Sequence, residues 1–230
     1  MKAVFFDFDG TLTKNGSNIW KDIWVDCGYS TSKGSYFSQL YNAFNSGSIT
    51  HKQWCDLTCQ AFAEANFNIA DLYDLSCKIK IIDGAEETFK ALKDNGYSLH
   101  LVSGNIVPVM RQALGKSSKY FDSINGNEMQ FDENGDICAI DSTDYDYEGK
   151  AKFISEWQQK THCDPKDLLF IGNGENDEWV HKSGCRTLCI NPDNTDDSDR
   201  TKWHNSLGKI DNLTEILPLC NIKDDVMENE

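Results

Sequence analysis

Two aspartates stand directly after the first apolar run of the chain, Ala3–Phe6. Because side chains alternate along extended backbone, Phe8 between Asp7 and Asp9 sends both carboxylates to the same side. At the carboxyl end of a strand in a parallel sheet, they would lie where α/β folds bind ligands. Two negative charges so close favour a hard divalent cation with oxygen ligands, typically Mg²⁺. Gly10 then permits close approach of the backbone to a ligand. A plain Asp/Gly turn is the alternative, but the strand-to-turn context favours a site.

Two later segments could hold an anion. Ser103 and Gly104 follow the apolar run Tyr97–Val102, and a strand end ahead of a helix exposes a hydroxyl and amides to a phosphoryl oxygen. A simple helix N-cap is the alternative role for this serine. Lys150 lies near the start of a predicted helix, where a cation opposes the helix macrodipole. Binding an anion or pairing with a carboxylate would explain that position, whereas alone it would be interpreted as a solvated lysine.

A fourth polar segment, Gly172-Asn-Gly-Glu-Asn-Asp177, follows the buried-type run Leu168–Ile171. Its acidic residues could merely favour a helix N-terminus. As a strand that ends in a Gly-rich polar turn, however, it would add ligands at the same edge of the sheet. Each of the four segments has a simpler explanation by itself, and their occurrence together in one order favours a functional site.

The spacing of apolar runs predicts the elements that position these residues. Short β-type runs separated by helix-like segments indicate parallel strands joined by crossovers, hence an α/β fold. The four runs are Ala3–Phe6, Tyr97–Val102, Leu168–Ile171 and Thr187–Ile190. Asp83 is expected to cap a helix that runs through Asp94 and ends at Gly96. A small β-hairpin is predicted over Met129–Ile140, where Asn134-Gly135 supplies the turn.

The stretch from Leu12 to about Ile82 contains no convincing strand. Its large apolar residues recur at helical spacing instead, namely Trp20, Ile23 and Trp24, then Trp54, Leu57 and Phe62. This pattern predicts a helical module inserted after the first strand, a cap over the site. The alternative is that these helices simply pack onto the sheet.

Charge and composition limit the partners and the compartment. The net charge of -15 argues against a nucleic acid or an anionic membrane, so neither is a predicted partner. No apolar stretch approaches a membrane span, and because the chain starts with a strand-like run, no secretory signal is expected. Nine cysteines cannot all pair, which favours reduced thiols in the cytoplasm. His51, Cys55 and Cys59 share a helical face, but packing is the more common role of such a face than metal binding. No oligomeric state is predicted.

Taken in order, the four segments resemble the motifs of haloacid dehalogenase-type phosphatases. The residues that carry the resemblance are Asp7-Phe-Asp-Gly-Thr-Leu-Thr, Val102-Ser-Gly, Lys150 and Gly172-Asn-Gly-Glu-Asn-Asp. The most similar branch is that of phosphoserine phosphatase, in which a helical cap (C1 type) lies between the first two motifs. The resemblance extends from Lys2 to about Leu217. It implies a Rossmann-like core of helices around a parallel sheet, formed by residues 1–13 and 82–230, and a cap formed by residues 14–81.

The resemblance implies a phosphomonoester hydrolase that acts on a small phosphorylated metabolite with Mg²⁺ as cofactor. Asp7 would be the nucleophile that forms an aspartyl-phosphate, and Asp9 the general acid and then the general base. Ser103 and Lys150 would complete the catalytic set by holding the phosphoryl group. The implied phosphate- and substrate-binding residues are Gly10, Ser103, Gly104, Lys150 and Asn176. The implied metal ligands are Asp7, Asp9 through its main-chain carbonyl, Asn173 and Asp177.

The sequence departs from the family pattern at Asn173, where the fourth motif normally has an aspartate that binds Mg²⁺ directly. An amide oxygen can still coordinate the ion, but without negative charge it should hold the ion more weakly. Asp177 could take over part of this role. Two alternatives to hydrolysis stand, and only the second follows from Asn173. One is a phosphotransferase or mutase with the same motifs, and the other is a catalytically weak phosphate-binding module.

The cap departs from the pattern as well. The stretch Lys14–Asn18 has no glutamate that could bind the amino group of phosphoserine. Likewise, Gly47–Cys59 has no arginine that could bind its carboxylate. Phosphoserine is therefore not the expected substrate. Four aromatic residues could form a wall for a different leaving group, although packing between cap helices is the favoured interpretation: Trp20, Trp24, Tyr36 and Trp54. The acidic run Asp193–Asp199 and the tail Lys223–Glu230 are interpreted as solvated loop and terminus.

Overall fold

The computed structural model describes residues 2–14, 18–192 and 202–220, and its centre is a seven-stranded sheet. The strands are β1 (Lys2–Phe6), β2 (Tyr97–Ile106), β3 (Ser123–Phe131), β4 (Ile137–Asp141), β5 (Leu168–Gly172), β6 (Arg186–Ile190) and β7 (Asn205–Gly208). Their order across the sheet is β4-β3-β2-β1-β5-β6-β7. Every neighbouring pair is parallel except β3 and β4, which are antiparallel. The predicted α/β fold with a mostly parallel sheet is confirmed.

Helices connect the strands and cover both faces of the sheet. They are α1 (Ile19–Asp26), α2 (Tyr36–Asn45), α3 (His51–Glu64), α4 (Ile69–Ser76), α5 (Ala85–Asp94), α6 (Val107–Leu114) and α7 (Glu148–Thr161). Short 3-10 segments add Gly115–Tyr120, Pro165–Asp167, Glu175–Ser183 and Leu213–Cys220. None of the helices in the described ranges is long and apolar enough to span a bilayer.

The core lies on both faces of β1, because successive side chains of a strand point to opposite sides. Val4 and Phe6 belong to one buried cluster, together with Phe89 of α5. Ala3 and Phe5 belong to the cluster on the other face, which includes residues of α7. Burial on both faces fixes the register of β1, and with it the direction in which the residues after Phe6 leave the sheet.

Helices α1–α4 form a separate aromatic cluster around Trp24, which is fully buried. The chain enters and leaves this region side by side, because Thr13 pairs with Ile81 in an isolated antiparallel bridge. Ile106 and Val109 belong to the same cluster, so the inserted helices also pack against β2 and α6. The stretch is therefore a helical module inserted after the first strand, as predicted, and it also packs onto the sheet, as the alternative predicted. The division at residues 13/14 and 81/82 remains a prediction.

The predicted hairpin is present as β3 and β4, and it extends the edge of the main sheet. Gly135 in its turn has a φ of 87°, which only glycine adopts without strain. Its carbonyl oxygen accepts a hydrogen bond from Ile69 N at 2.9 Å. The turn is thereby tied to the start of α4 and helps to hold the inserted helices over the sheet.

The expected capping of α5 by Asp83 is wrong. Gly84 occupies the N-cap position in a left-handed conformation and makes no side-chain capping bond. Asp83 instead forms an ion pair with Lys14 at 2.8 Å, next to the crossing point of the insert. At the other end of the helix, Gly96 has a φ of 77° and donates to Lys93 O at 2.9 Å, as expected of a helix stop. The acidic run 193–199 and the tail 223–230 lie outside the described residues.

Candidate active site

Three adjacent strands place three of the predicted segments at one edge of the sheet. Since β1 lies between β2 and β5, Asp7 and Asn173, which directly follow β1 and β5, lie at the same edge as Ser103. Ser103 itself lies within β2, because this strand continues beyond the predicted Val102 to Ile106. Asp7 N donates to Ile171 O at 2.9 Å, which continues the pairing of β1 with β5 by one residue. Phe8 is fully buried in the core cluster, so the carboxylates on either side of it are available at the edge.

Lys150 enters the same place from the first turn of α7, and its side chain is fully buried. Its Nζ donates to Asp7 Oδ1 at 2.7 Å and to Asp177 Oδ1 at 2.5 Å. A lone buried ammonium would be strongly unfavourable, but two carboxylates compensate it here. Lys150 therefore joins the first, third and fourth segments, and the solvated-lysine interpretation is wrong.

The charges in this cluster shift each other's protonation. Burial by itself would lower the pKa of Lys150, but the carboxylates of Asp177 and Asp7 together raise it well above its ordinary value, so the side chain stays charged. Burial, followed by the negative charge of Asp177, raises the pKa of Asp7, while Lys150 opposes that rise. A negative Asp7 thus depends on the positive charge beside it.

Asp9 is held by Asn105, a residue that the sequence analysis did not assign a role. Asn105 Nδ2 donates to both carboxylate oxygens of Asp9, at 2.9 and 3.1 Å, and the Asn105 side chain is buried. Burial and the charge of Asp7 raise the pKa of Asp9 to about 8, and the bond from Asn105 lowers it. Only its position directly after Ser103-Gly104 marked Asn105 in the sequence.

Gly10 and Asn173 lie against each other. Gly10 has a φ of 73°, and a Cβ at this position would collide with the side chain of Asn173. Thr11 Oγ1 donates to Asn173 Oδ1 at 3.4 Å, so the amide oxygen is directed at the loop that follows β1. The backbone of the first segment and the first polar residue of the fourth are therefore in direct contact, as the strand order predicts.

Asp177 shapes the loop that follows β5. While Oδ1 contacts Lys150, Oδ2 accepts hydrogen bonds from the backbone amides of Asn173 at 2.9 Å and Gly174 at 3.2 Å. A Cβ at Gly172 would collide with the same carboxylate. Both oxygens of Asp177 are thus engaged, which makes it the weakest member of the predicted set of metal ligands.

Asp146 is a second residue that the sequence analysis missed. Its Oδ1 accepts a hydrogen bond from Asn176 Nδ2 at 2.9 Å and lies 4.0 Å from Lys150 Nζ. A Cβ at Gly104 would collide with the Asp146 carboxylate, so this acid lies directly against the second segment. Asp146 thereby contacts three residues that were predicted to bind phosphate, and it brings Asn176 into the cluster.

The backbone next to Asp146 is strained. Tyr147 has a φ of 49° and a ψ of -124°, a conformation unfavourable for a residue with a side chain. A Cβ at Gly149 would collide with the carbonyl of Asp144, so the loop before α7 folds tightly onto the start of that helix. Strain of this kind is concentrated at functional loops. No pattern in the sequence indicates a positive φ at a tyrosine.

The inserted helices form the opposite wall of a cavity of about 350 Å³ above these residues. Trp20 and Trp54 line this cavity, whereas Trp24 is buried inside the cap, and Tyr36 is exposed but not in the lining. Trp20 Nε1 donates to Gly104 O at 3.0 Å, which connects α1 to the second segment. The two predicted roles of the aromatic residues thus separate, two lining the site and one packing.

His51 lies with the aromatic rings of this wall. Its ring centroid is 5.3 Å from that of Phe44 and 6.1 Å from that of Trp54. Its Nε2 is 3.6 Å from Cys55 Sγ, and Cys55 is buried while Cys59 is half-buried. These contacts are side-chain packing. All nine cysteines of the chain fall in the described ranges, and no disulfide joins any two of them.

The charge balance of the cluster fits a divalent cation. Four carboxylates surround one ammonium, since Lys150 is accompanied by Asp7, Asp9, Asp146 and Asp177. Among residues 2–14, 18–192 and 202–220, no three His, Cys, Asp or Glu side chains are arranged to hold an ion by themselves. The predicted ligands differ from such a set because they include a main-chain carbonyl and the amide oxygen of Asn173. An all-oxygen set with excess negative charge suits Mg²⁺.

The fold and the site together define an α/β protein with a cluster of aspartates and a buried lysine at the carboxyl edge of a parallel sheet. The chain belongs to the haloacid dehalogenase-like hydrolase family, whose family model matches residues 1–180. A curated relative, a phosphoserine phosphatase from Archaeoglobus fulgidus, is 26% identical over 183 residues, or 78% of this chain. The chain spans 49% of the length of that relative.

Solved structures share the whole fold. A phospho-aspartyl intermediate analogue of phosphoserine phosphatase aligns with a TM-score of 0.73 and 20% identity, covering 96% of this chain and 99% of that one. A family hydrolase from Salmonella enterica serovar Typhi aligns with a TM-score of 0.71 and 14% identity, covering 97% of this chain and 72% of that one. At this level of identity, the likeness concerns the fold.

Proposed function

We propose that this hydrolase is a magnesium-dependent phosphomonoesterase that forms an aspartyl-phosphate on Asp7 and acts on a small phosphorylated metabolite. The observation that carries the proposal is the fully buried Lys150 ammonium, bonded to Asp7 at 2.7 Å beside a second carboxylate, Asp9. An ion pair of this kind orients one carboxylate as a nucleophile and leaves the other for proton transfer. The names of the curated and structural relatives support the same chemistry.

In the first step, Asp7 attacks the phosphorus atom of the ester. Lys150 occupies Oδ1 of Asp7, which leaves Oδ2 for the attack. The new bond joins Asp7 to phosphorus, the bond from phosphorus to the leaving oxygen breaks, and that oxygen takes a proton from Asp9. Asn105 orients Asp9 for this transfer through both carboxylate oxygens. In the second step, Asp9 removes a proton from water, which attacks phosphorus and releases inorganic phosphate and free Asp7.

The phosphoryl oxygens are held by groups around this pair. Ser103, the backbone at Gly10 and Gly104, Lys150 and Asn176 would bind and neutralise them. Mg²⁺ would be held by Asp7, the main-chain carbonyl of Asp9 and Asn173, with Asp177 nearby. When bound, it would supply positive charge that balances the buried carboxylates and the transferring phosphoryl group. The free thiols support a reducing compartment such as the cytoplasm.

The test is phosphate release from p-nitrophenyl phosphate and a panel of metabolite monoesters, with Mg²⁺ and after chelation. Turnover should require the metal and fall by at least about 10⁴-fold in Asp7→Asn. The matched control is Asp56→Asn, which removes an exposed cap carboxylate and should keep full activity. Equal turnover in Asp7→Asn and the control would contradict the proposal.

Asn173 decides between the hydrolase and the weak binding module. Its amide oxygen contacts Thr11 and carries no negative charge, so the ion should bind weakly. The variant Asn173→Asp should lower the Mg²⁺ concentration needed for half-maximal activity about tenfold or more. Tight binding of phosphate without turnover, in both the parent and Asn173→Asp, would favour the module. Turnover only with an added acceptor alcohol would favour a phosphotransferase.

A further inference from the structure

The cavity between the sheet edge and the inserted helices contains space for a leaving group as well as a phosphoryl group. Its volume of about 350 Å³ is at the lower end of the range for small-molecule sites. Asp7, Asp9 and Ser103 lie at its core end, and residues of α1, α2 and α3 form the other side. The chemistry of those walls therefore selects the alcohol that carries the phosphate.

The lining is acidic and contains no Lys or Arg among the described residues. Its carboxylates are Asp7, Asp9, Asp146 and Glu175. Lys150, the cation nearest to the site, is buried behind Asp7 and is already paired with two carboxylates. A substrate with a second anionic group, such as a carboxylate, would have to bury that group without a cationic partner, which is costly.

The wall opposite the acidic groups is aromatic. Tyr147 lines the core side next to Asp146, and five aromatic side chains of the inserted helices line this wall: Trp20, Phe37, Tyr41, Phe44 and Trp54. Two groups of these rings are in contact: Trp20, Trp54 and Phe44, with centroid distances of 5.0 Å for Trp20–Trp54 and 6.1 Å for Phe44–Trp54, and the pair Phe37–Tyr41 at 5.8 Å. The negative face of such rings attracts an ammonium or quaternary ammonium group.

Asp146 and Glu175 complete this environment from the core side. Asp146 accepts a hydrogen bond from Asn176, one of the predicted phosphate-binding residues, and Glu175 is exposed in the lining. Asp146 has one long ion pair, with Lys150 Nζ at 4.0 Å, and Glu175 has no Lys or Arg partner in the described part of the chain. A positively charged leaving group would be balanced by these carboxylates and packed against the rings.

Resting on the proposed phosphatase activity, we propose that the substrate is the phosphomonoester of a small amino alcohol, with a primary or quaternary ammonium and no carboxylate. The ammonium packs against the aromatic wall while Asp146 and Glu175 offset its charge. The phosphoryl group is then the single anionic part of the substrate. This class explains why the described lining of the cavity combines rings with carboxylates and contains neither Lys nor Arg.

The direct test compares phosphoethanolamine with phosphoserine, because the two esters differ only in the carboxylate. We expect kcat/KM for phosphoethanolamine, or for phosphocholine, to exceed that for phosphoserine at least tenfold, with neutral glycerol phosphate between them. Equal values, or faster turnover of phosphoserine, would overturn the substrate assignment while p-nitrophenyl phosphate hydrolysis still upheld the phosphatase. If no ester is hydrolysed, the proposed phosphatase activity is wrong. In that case, binding of phosphoethanolamine and phosphoserine to Asp7→Asn, measured by calorimetry, still shows which of the two the cavity prefers.

Two variants separate charge recognition from general damage. Glu175→Gln should reduce the kcat/KM ratio of phosphoethanolamine to glycerol phosphate several-fold, and this ratio is unaffected by a loss of folded enzyme that lowers both rates equally. Asn45→Arg adds a cation to the cap side of the lining and should raise kcat/KM for phosphoserine relative to phosphoethanolamine. An unchanged ratio in both variants would contradict the assignment.

Discussion

The edge of the sheet and the aromatic wall of the inserted helices face the same cavity but are stabilised in different ways. At the edge, charged and polar groups are buried and bonded to one another, as Lys150 is to Asp7 and Asp177. On the wall, ring packing dominates, and Trp54 Nε1 is buried without a hydrogen-bond partner in the described residues. The edge therefore fixes atoms for one reaction, whereas the wall can change its shape and preference at lower energetic cost.

The largest effect expected from this contrast concerns Lys150. Lys150→Met leaves two buried carboxylates without their cation and should lower the free energy of unfolding by about 3–5 kcal/mol. Lys152→Met on the exposed side of the same helix should change it by less than about 0.5 kcal/mol. Urea unfolding of both variants checks the difference. Similar values for the two would show that the edge is not held by its buried charge.

A second effect tests whether the loss of stability at low pH arises in the sheet rather than in the inserted helices. Burial lowers the pKa of His100 in β2 to about 4, against the small opposing effect of Asp122. Its Nδ1 is 2.9 Å from Ser123 Oγ, and its Nε2 has no partner in the ranges the structure describes.

In the unfolded chain the His100 side chain takes up a proton near pH 6.5, whereas in the folded protein it stays neutral until a lower pH. The contribution of neutral His100 to the free energy of unfolding is therefore complete above pH 6.5. It is lost as the pH falls towards 4, and it amounts to roughly 3 kcal/mol. His100→Gln should weaken this part of the pH dependence in urea unfolding between pH 4 and 7. If His100→Gln and the parent showed the same pH dependence, His100 would not be the cause of the loss of stability at low pH.

A smaller effect concerns the orientation of the Asp9 carboxylate. Asn105→Ala removes the donor to both of its oxygens, so esters with poor leaving groups should be hydrolysed about tenfold or more slowly. Hydrolysis of p-nitrophenyl phosphate should lose less, because its leaving group needs no protonation and only the second step still depends on Asp9. Asn125→Ala, which loses a similar bond to Leu101 O away from the site, is the control. Equal losses on both kinds of ester would mean that Asn105 only supports the fold.

The smallest effect tests the connection between the two regions. Trp20→Phe keeps a ring but loses the bond from Nε1 to Gly104 O, and KM should rise about fivefold, equivalent to about 1 kcal/mol. Trp54→Phe keeps a ring and loses no hydrogen bond of this kind, so its KM should change less. Steady-state kinetics on one ester compares them. A larger change in Trp54→Phe would place the connection in ring packing.

The sequence predicted the edge of the sheet well, because strand ends and their polar residues follow a local pattern. Asp7, Ser103 and Asn173 could be grouped without coordinates, since parallel strands end at one edge. The partners of those residues were less accessible. Asp146 and Asn105 act through contacts between segments distant in the chain, and no local pattern reports such contacts.

Two further features also depend on contacts that a local sequence pattern does not predict. The positive φ of Tyr147 is imposed by the tight loop before α7, against the preference of the residue itself. Asp83 has the composition of a helix cap but lies at the crossing point of the insert, where Lys14 is its partner. In both cases tertiary structure overrides a local preference.

The most direct test of the account is to identify the phosphorylated residue during turnover. The enzyme is mixed with p-nitrophenyl phosphate, quenched in acid and digested, and the peptides are analysed by mass spectrometry. We expect a phosphoryl group on Asp7, accumulating in Asp9→Asn because the second step lacks its base while this leaving group needs no acid. A phosphoryl group on Ser103 or Asp9, or none in a variant that still turns over, would contradict the account.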